Sequence, residues 1–322
     1  MALYGFQQID NLPEYYNFSY SFNVLTVFTV VTATYSIFSF WITLKMCIFY
    51  VKNRNSDVMK NGLREDVLRL FLLMQIWNAF HVLLDFFVVR IPLTSIVTSY
   101  CAQSKPEILL NVLSFLFVGF VYTSHFLTLA FCVQRVSLLY SVEYQREMIS
   151  KVFNIVSPLL IIIGHCLGIP HFFNQSSCYQ MGQPFPFGSI VITENRREMT
   201  TYAIIYIVGT NAMIVLIVVT TILMFAKLNQ KRKISSELHR KYNSKAEKTL
   251  TITMILILLP ILMPAILSLA DLFEYALYPY LFPLRLICLD ARAHLVSCHF
   301  YFTHPIFKKA PVYKHGCDSG NK

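Results

Sequence analysis

The sequence predicts an all-α integral membrane protein, a bundle of seven transmembrane helices with its N-terminus outside. Three observations carry this. The chain is 56% hydrophobic and 14% charged, with a mean hydropathy of +0.53, whereas a soluble domain carries about a quarter charged residues. Its apolar residues gather into runs long enough for a bilayer core that needs about twenty helical residues. Its lysines and arginines fall mainly in alternate connections between those runs. The net charge of +10 therefore points to a membrane surface rather than to nucleic acid.

The first 23 residues contain no Lys or Arg and no compact apolar stretch. They read as an extracellular tail (1–23) without a cleaved leader, so the first helix acts as its own targeting signal. The spans follow at 24–51, 67–91, 108–140, 152–173, 200–228, 247–271 and 278–303, giving a membrane domain over 24–307 and a cytoplasmic tail over 308–322. These runs are too long and too uniformly apolar for barrel strands. The seventh is the exception, interrupted by Arg285, Asp290, Arg292 and His294.

Orientation follows from the basic residues. Lys52, Arg54, Lys60 and Arg64 follow the first span. Eight more, from Lys227 to Lys248, lie between the fifth and sixth, and Lys308, Lys309, Lys314 and Lys322 lie in the tail. The opposite connections hold little beyond Arg90, Lys105, Arg196 and Arg197. This places the N-terminus outside and the C-terminus in the cytoplasm, with the plasma membrane as the expected site. Both glycosylation sequons, at Asn17 and Asn174, fall on the outer side. So do Cys101 and Cys178, while the other cysteines lie in spans or, for Cys317, in the tail. A disulfide between Cys101 and Cys178 is expected in an oxidising compartment, two free thiols being the alternative. Cys317 is either a palmitoylation site or a plain thiol.

Several motifs carry chemistry. Arg135, at the inner end of the third span, resembles the arginine with which rhodopsin-like receptors dock a G protein. Gln134 replaces its acidic neighbour, and the plain alternative is a cation that snorkels to headgroups. Ser244-Lys245-Ala246-Glu247 fits a capping box at the start of the sixth helix, and Pro260 and Pro264 are expected to kink that helix. Ionisable residues inside a bilayer are costly. His81 with Asp85, and Asp290 with His294, are each spaced four apart and share a helical face. With Asn78 and Arg292 they predict an intramembrane polar network between the second and seventh helices. A His/Asp metal site is the sharper alternative, for which His125 is the nearest further ligand. No phosphate loop, HExxH or nucleophile elbow is present, so neither an enzyme nor a cofactor or metal is expected. Internal repeats that would suggest a transporter are also absent.

Several stretches resemble the nematode serpentine receptor class U chemoreceptors, within a wider group that includes the gamma class. They are Asp85-Phe86-Phe87-Val88-Val89-Arg90-Ile91-Pro92, Thr98-Ser99-Tyr100-Cys101, Gln183 to Gly188, Lys245 to Leu250, Asp290-Ala291-Arg292, and Tyr301 to Lys308. The resemblance implies a receptor of sensory neurons that binds small chemical cues and signals through a heterotrimeric G protein. The Asn-Pro-x-x-Tyr of rhodopsin-like receptors is missing, and His304-Pro305 stands in a similar place. The expected ligand pocket lies among the third, fifth, sixth and seventh helices beneath the loop of Cys178. His125, Tyr122, Tyr206 and Asn211 are its candidates by depth and polarity. A seven-span transporter or a membrane-embedded zinc hydrolase is the alternative reading.

Overall fold

The structure is a computed structural model and describes residues 7–54, 64–104, 107–194, 201–234, 240–272 and 278–308. Among the described residues six helices are long and apolar enough to cross a membrane: Val24–Asn53, Glu65–Leu93, Glu107–Tyr140, Glu143–Phe173, Ile207–Gln230 and Lys248–Leu267. The seventh runs in three pieces over 278–303: Tyr278–Asp290, a π-helical turn Ala291–Leu295, and Val296–Thr303. The second contains a similar turn, Phe86–Arg90, directly after Asp85. The predicted seven-helix bundle is the fold observed.

Two helix starts differ from expectation. The fourth helix begins at Glu143 rather than at 152, because only Ser141 and Val142 separate it from the third. The sixth is already helical at Arg240, the first described residue of that stretch, so Ser244 lies inside the helix and is not its cap. The run Arg240 to Glu247 has no Gly or Pro to interrupt a helix. The helix continues through Pro260, while the side chains of 240–247 and of Pro264 lie outside the described residues.

Burial separates central from peripheral helices. The most apolar stretch of the third helix is 67% buried, against 22% for the first and 17% for the fourth. On the first helix Ile37, Phe38, Trp41 and Leu44 are exposed, whereas Thr32, Ser36, Ser39 and Thr43 are buried. Their spacing of four, three and four keeps the small polar groups on one inward face. The helix is inside-out relative to one in water, as a lipid-facing helix must be.

The third and fourth helices pack through small residues. A side chain on Gly164 would meet Thr123, and one on Gly168 would meet the Phe115 carbonyl and Gly119. Such small-residue contacts let helix backbones approach where no hydrophobic force drives association.

Of the four apolar clusters among the described residues, two are large. One includes Phe71, Met74, Phe131, Ile257, Val296 and Phe300, and the other Val89, Cys101, Cys178, Phe185, Ile190 and Leu286. On the second helix Asn78, His81 and Asp85 fall between the two cores. On the seventh, Asp290, Arg292 and His294 do the same. A polar layer therefore crosses the bundle.

A small antiparallel sheet covers the end that carries the N-terminal segment. Strands β1 (Gln7–Gln8), β2 (Ser176–Gln180) and β3 (Ile190–Glu194) lie in the order β1-β2-β3. Cys178 on β2 sits opposite Ile192 and is bonded to Cys101 of the short helix Thr98–Ser104, with a Cα–Cα distance of 6.3 Å. Gly188 closes the β2–β3 connection with φ +89°, a conformation that favours glycine. Its N–H donates to Gln180 Oε1 at 2.7 Å and its carbonyl accepts from Thr98 Oγ1 at 2.5 Å. A Cβ there would stand 2.3 Å from the Phe18 ring. The N-terminal segment is thus packed onto the lid.

Candidate functional site

The polar layer is organised by Arg90, which the sequence reading assigned to an outer connection. The structure corrects that assignment, since Arg90 is fully buried. Its Nε donates to Asp85 Oδ2 at 2.8 Å, while Nη2 and Nη1 donate to the two oxygens of Asp290 at 2.7 and 2.9 Å. Nη2 also reaches the Leu286 carbonyl at 3.4 Å, and the Phe86 ring lies 4.7 Å from the guanidinium carbon. Arg285 stands 3.6 Å from the other oxygen of Asp85, and the Tyr35 hydroxyl donates to Asp290. Two arginines and two aspartates balance, which is what makes such a cluster tolerable in low dielectric.

The π-helical turn explains the geometry. In a regular α-helix, residues five apart are rotated by roughly 140°. A π turn, with its i→i+5 hydrogen bonds, returns residue i+5 to the same side. Asp85 and Arg90 are such a pair, so the turn Phe86–Arg90 brings the guanidinium beside its carboxylate.

The expected i,i+4 pairs are weaker than this bridge. His294 Nε2 lies 3.8 Å from Asp290 and makes its shorter contact, 2.9 Å, with Ser36 Oγ. His81 makes no hydrogen bond to Asp85. Its two ring nitrogens are buried without a hydrogen-bond partner among the described residues, and the ring packs edge-on against Phe117. Asn78 Oδ1 accepts from Ser124 Oγ at 2.5 Å, and Arg292 Nη2 donates to the Ser124 carbonyl at 3.0 Å and to Thr128 Oγ1 at 2.6 Å. The first helix joins through Thr43, Ser297 and Gln75, linked at 3.2 and 3.1 Å. Its Ser/Thr stripe was missed in the sequence, although the 32-36-39-43 spacing is a readable signal.

Of the four expected pocket residues, three have described side chains. His125 is buried, with Nδ1 donating to the Val121 carbonyl at 2.7 Å. Tyr122 is buried and packs on Phe126, and Asn211 donates to the Ile207 carbonyl of its own helix at 2.8 Å. The side chain of Tyr206 lies outside the described residues, as does Cys317. A cavity of about 150 Å³ lies elsewhere, between the first, second and seventh helices and the β2–β3 connection, where Leu25, Phe28, Leu93, Phe185 and Leu286 line it together with Arg90.

At the opposite end of the bundle, Gln134 donates to Asp66 of the second helix at 3.2 Å, and Asp66 pairs with Arg64 at 3.1 Å. Arg64 also donates to the Arg146 carbonyl at 3.0 Å. The acid missing beside Arg135 is therefore supplied across the bundle, to its neighbour. Arg135 is itself buried and lies within electrostatic range of His304. The His304 ring stacks on Phe300 and its Nδ1 accepts from the Ile306 N–H at 3.3 Å, so His304-Pro305 begins the short final helix Pro305–Lys308.

At the lid, Asn17 is exposed, whereas Asn174 is half-buried and donates to Glu194 at 3.1 Å. His171 pairs with the same carboxylate. Among the described residues no group of three or more His, Cys, Asp or Glu side chains is placed to hold a metal ion.

A family model described as serpentine type 7TM GPCR chemoreceptor Sru matches residues 9–310. No curated protein matches the chain.

Proposed function

The chain belongs to the Sru family of serpentine chemoreceptors of the G-protein-coupled type, multi-pass membrane proteins, and we propose that it detects a small chemical cue at the plasma membrane and signals to a heterotrimeric G protein. In this reading the N-terminus and the disulfide-tied lid are extracellular, and the end carrying Arg135 is cytoplasmic. The observation that supports it best is the placement of polar contacts along the bundle. Arg90 and Asp290 lie nearer the lid, Arg292 and Ser124 at mid-depth, and Gln134 and Asp66 at the far end, all on the second, third and seventh helices. A ligand that prefers one arrangement of these contacts shifts the population toward it. In the arrangement described here Arg135 is buried, so activation would uncover it for the partner.

The test is nucleotide exchange on a co-expressed G protein in cells, screened against small organic cues. Arg135→Ala is expected to lower the response to an active cue at least about tenfold, equivalent to one lost charge-assisted contact, with surface expression unchanged. An undiminished response in that variant would remove Arg135 from the coupling surface.

Orientation has a simpler test. Asn17 is exposed, whereas the Asn174 amide is engaged by Glu194 and Ser176 of its sequon is buried in β2. Enzymatic deglycosylation is expected to change the gel mobility of wild type and of Asn174→Gln, but not of Asn17→Gln. A glycan that survives Asn17→Gln would contradict this assignment.

A further inference from the structure

We propose that the mid-depth part of the polar layer binds the carboxylate of a small organic acid, with Arg292 as its charge partner. This names the ligand class for the receptor reading above and rests on that reading.

Arg292 is buried, at 3% exposure. Among the described residues its hydrogen-bond partners are one carbonyl and one hydroxyl, both reached through Nη2, and Nε has none. Among the described residues no carboxylate pairs with it. Arg90 provides the contrast, with two carboxylates within 2.9 Å. A guanidinium buried without a counter-charge costs several kcal/mol. An anion is the component that completes it.

The surrounding groups fit an anion that also carries a donor. Asn78 Nδ2, both nitrogens of His81 and Nε2 of His125 are buried without hydrogen-bond partners among the described residues. Because Asn78 Oδ1 accepts from Ser124, the vacant positions on the amide are N–H donors. His125 Nδ1 donates to the Val121 carbonyl, so in the neutral ring Nε2 is left to accept from a hydroxyl or N–H of the ligand. Both histidines lie within electrostatic range of Arg292.

The acids of the same layer, Asp85 and Asp290, are engaged by Arg90, Arg285 and Tyr35 and leave Arg292 to the ligand. One guanidinium matches one negative charge, and a carboxylate accepts from Nε and Nη together in the fork geometry.

The full chain in lipid nanodiscs, without G protein, is titrated with acetate, butyrate, lactate and benzoate. The corresponding amides and sodium chloride serve as controls at constant pH and ionic strength. A saturable rise in unfolding temperature is expected with at least one carboxylate and not with its amide, and Arg292→Gln is expected to weaken it at least about tenfold. Thr128→Asp places a carboxylate where Nη2 now meets the Thr128 hydroxyl. It is expected to abolish the shift while raising the unfolding temperature without ligand. No saturable shift, a shift with chloride alone, or equal shifts in wild type and Thr128→Asp would overturn the proposal, even if Arg292→Gln fails to fold. Activation in cells by neutral cues without carboxylate binding would sink this inference and spare the receptor reading. Carboxylate binding without nucleotide exchange would do the reverse.

Discussion

Replacing Arg90 with methionine is expected to destabilise the bundle by about 3–5 kcal/mol and to deplete folded protein from membrane preparations. Asp85 and Asp290 would be left buried, with Arg285, at 3.6 Å and partly exposed, near Asp85 and the neutral Tyr35 hydroxyl on Asp290. The loss arises from the orphaned charges more than from the bridge itself, since buried ion pairs roughly break even against well-packed apolar residues. The triple variant Arg90→Met, Asp85→Leu, Asp290→Leu is therefore expected to recover most of the lost stability. Arg90→Lys is expected to rescue only in part, because one ammonium cannot supply the fork that holds Asp290 by two bonds while Nε holds Asp85. Thermal unfolding of the purified protein in detergent measures all three. A methionine variant as stable as wild type, or a triple variant no better than the single one, would refute the argument.

The same arginine shows where the sequence stops being legible. Apolar runs report a membrane helix directly, because lipid imposes its demand on every residue of a span; six of the seven helices were readable for that reason. The seventh was readable from its ions, since Asp290, Arg292 and His294 make sense only in a shielded interior. Arg90 was hidden because it stands near the end of an apolar run, where a cation ordinarily marks a loop, and because a 3.6-residue period places it on a different side from Asp85. Only the π turn, which no local pattern announces, brings the two together. Asn78, Asp85, Asp290, Arg292 and His294 were each legible as interior groups, but their partners were not. Ser36, Ser124 and Thr128 are small, common in membrane helices, and identified as partners only by the packing of other helices. The lid was illegible for a different reason. β1 is two residues long and pairs with a strand more than 160 residues later, which is a contact set by the tertiary structure and not by propensity.

A second large effect is expected at the contact between the third and fourth helices. A methyl group on Gly164 would stand 2.2 Å from Thr123 Oγ1 and 2.9 Å from the Thr123 Cα and N. The hydroxyl can rotate away, giving up its 3.2 Å contact with His165 Nδ1, but the backbone atoms cannot. The helices must then separate, so Gly164→Ala is expected to destabilise by about 1–3 kcal/mol, in the range of overpacked cores. The displacement would not stay local. Thr123 precedes Ser124, whose carbonyl and hydroxyl hold Arg292 and Asn78. Moving the third helix away from the fourth therefore disturbs the polar layer as well as the helix contact. The three glycines provide an internal scale. A Cβ on Gly168 would come within 3.0 Å of the Phe115 carbonyl, whereas one on Gly119 would meet the His165 side chain at an ordinary 3.4 Å. Stability should fall most for Gly164→Ala, less for Gly168→Ala and least for Gly119→Ala. Unfolding temperatures of the three variants read that order, and a Gly119→Ala as damaging as Gly164→Ala would mean that the close backbone approach is not what holds these two helices together.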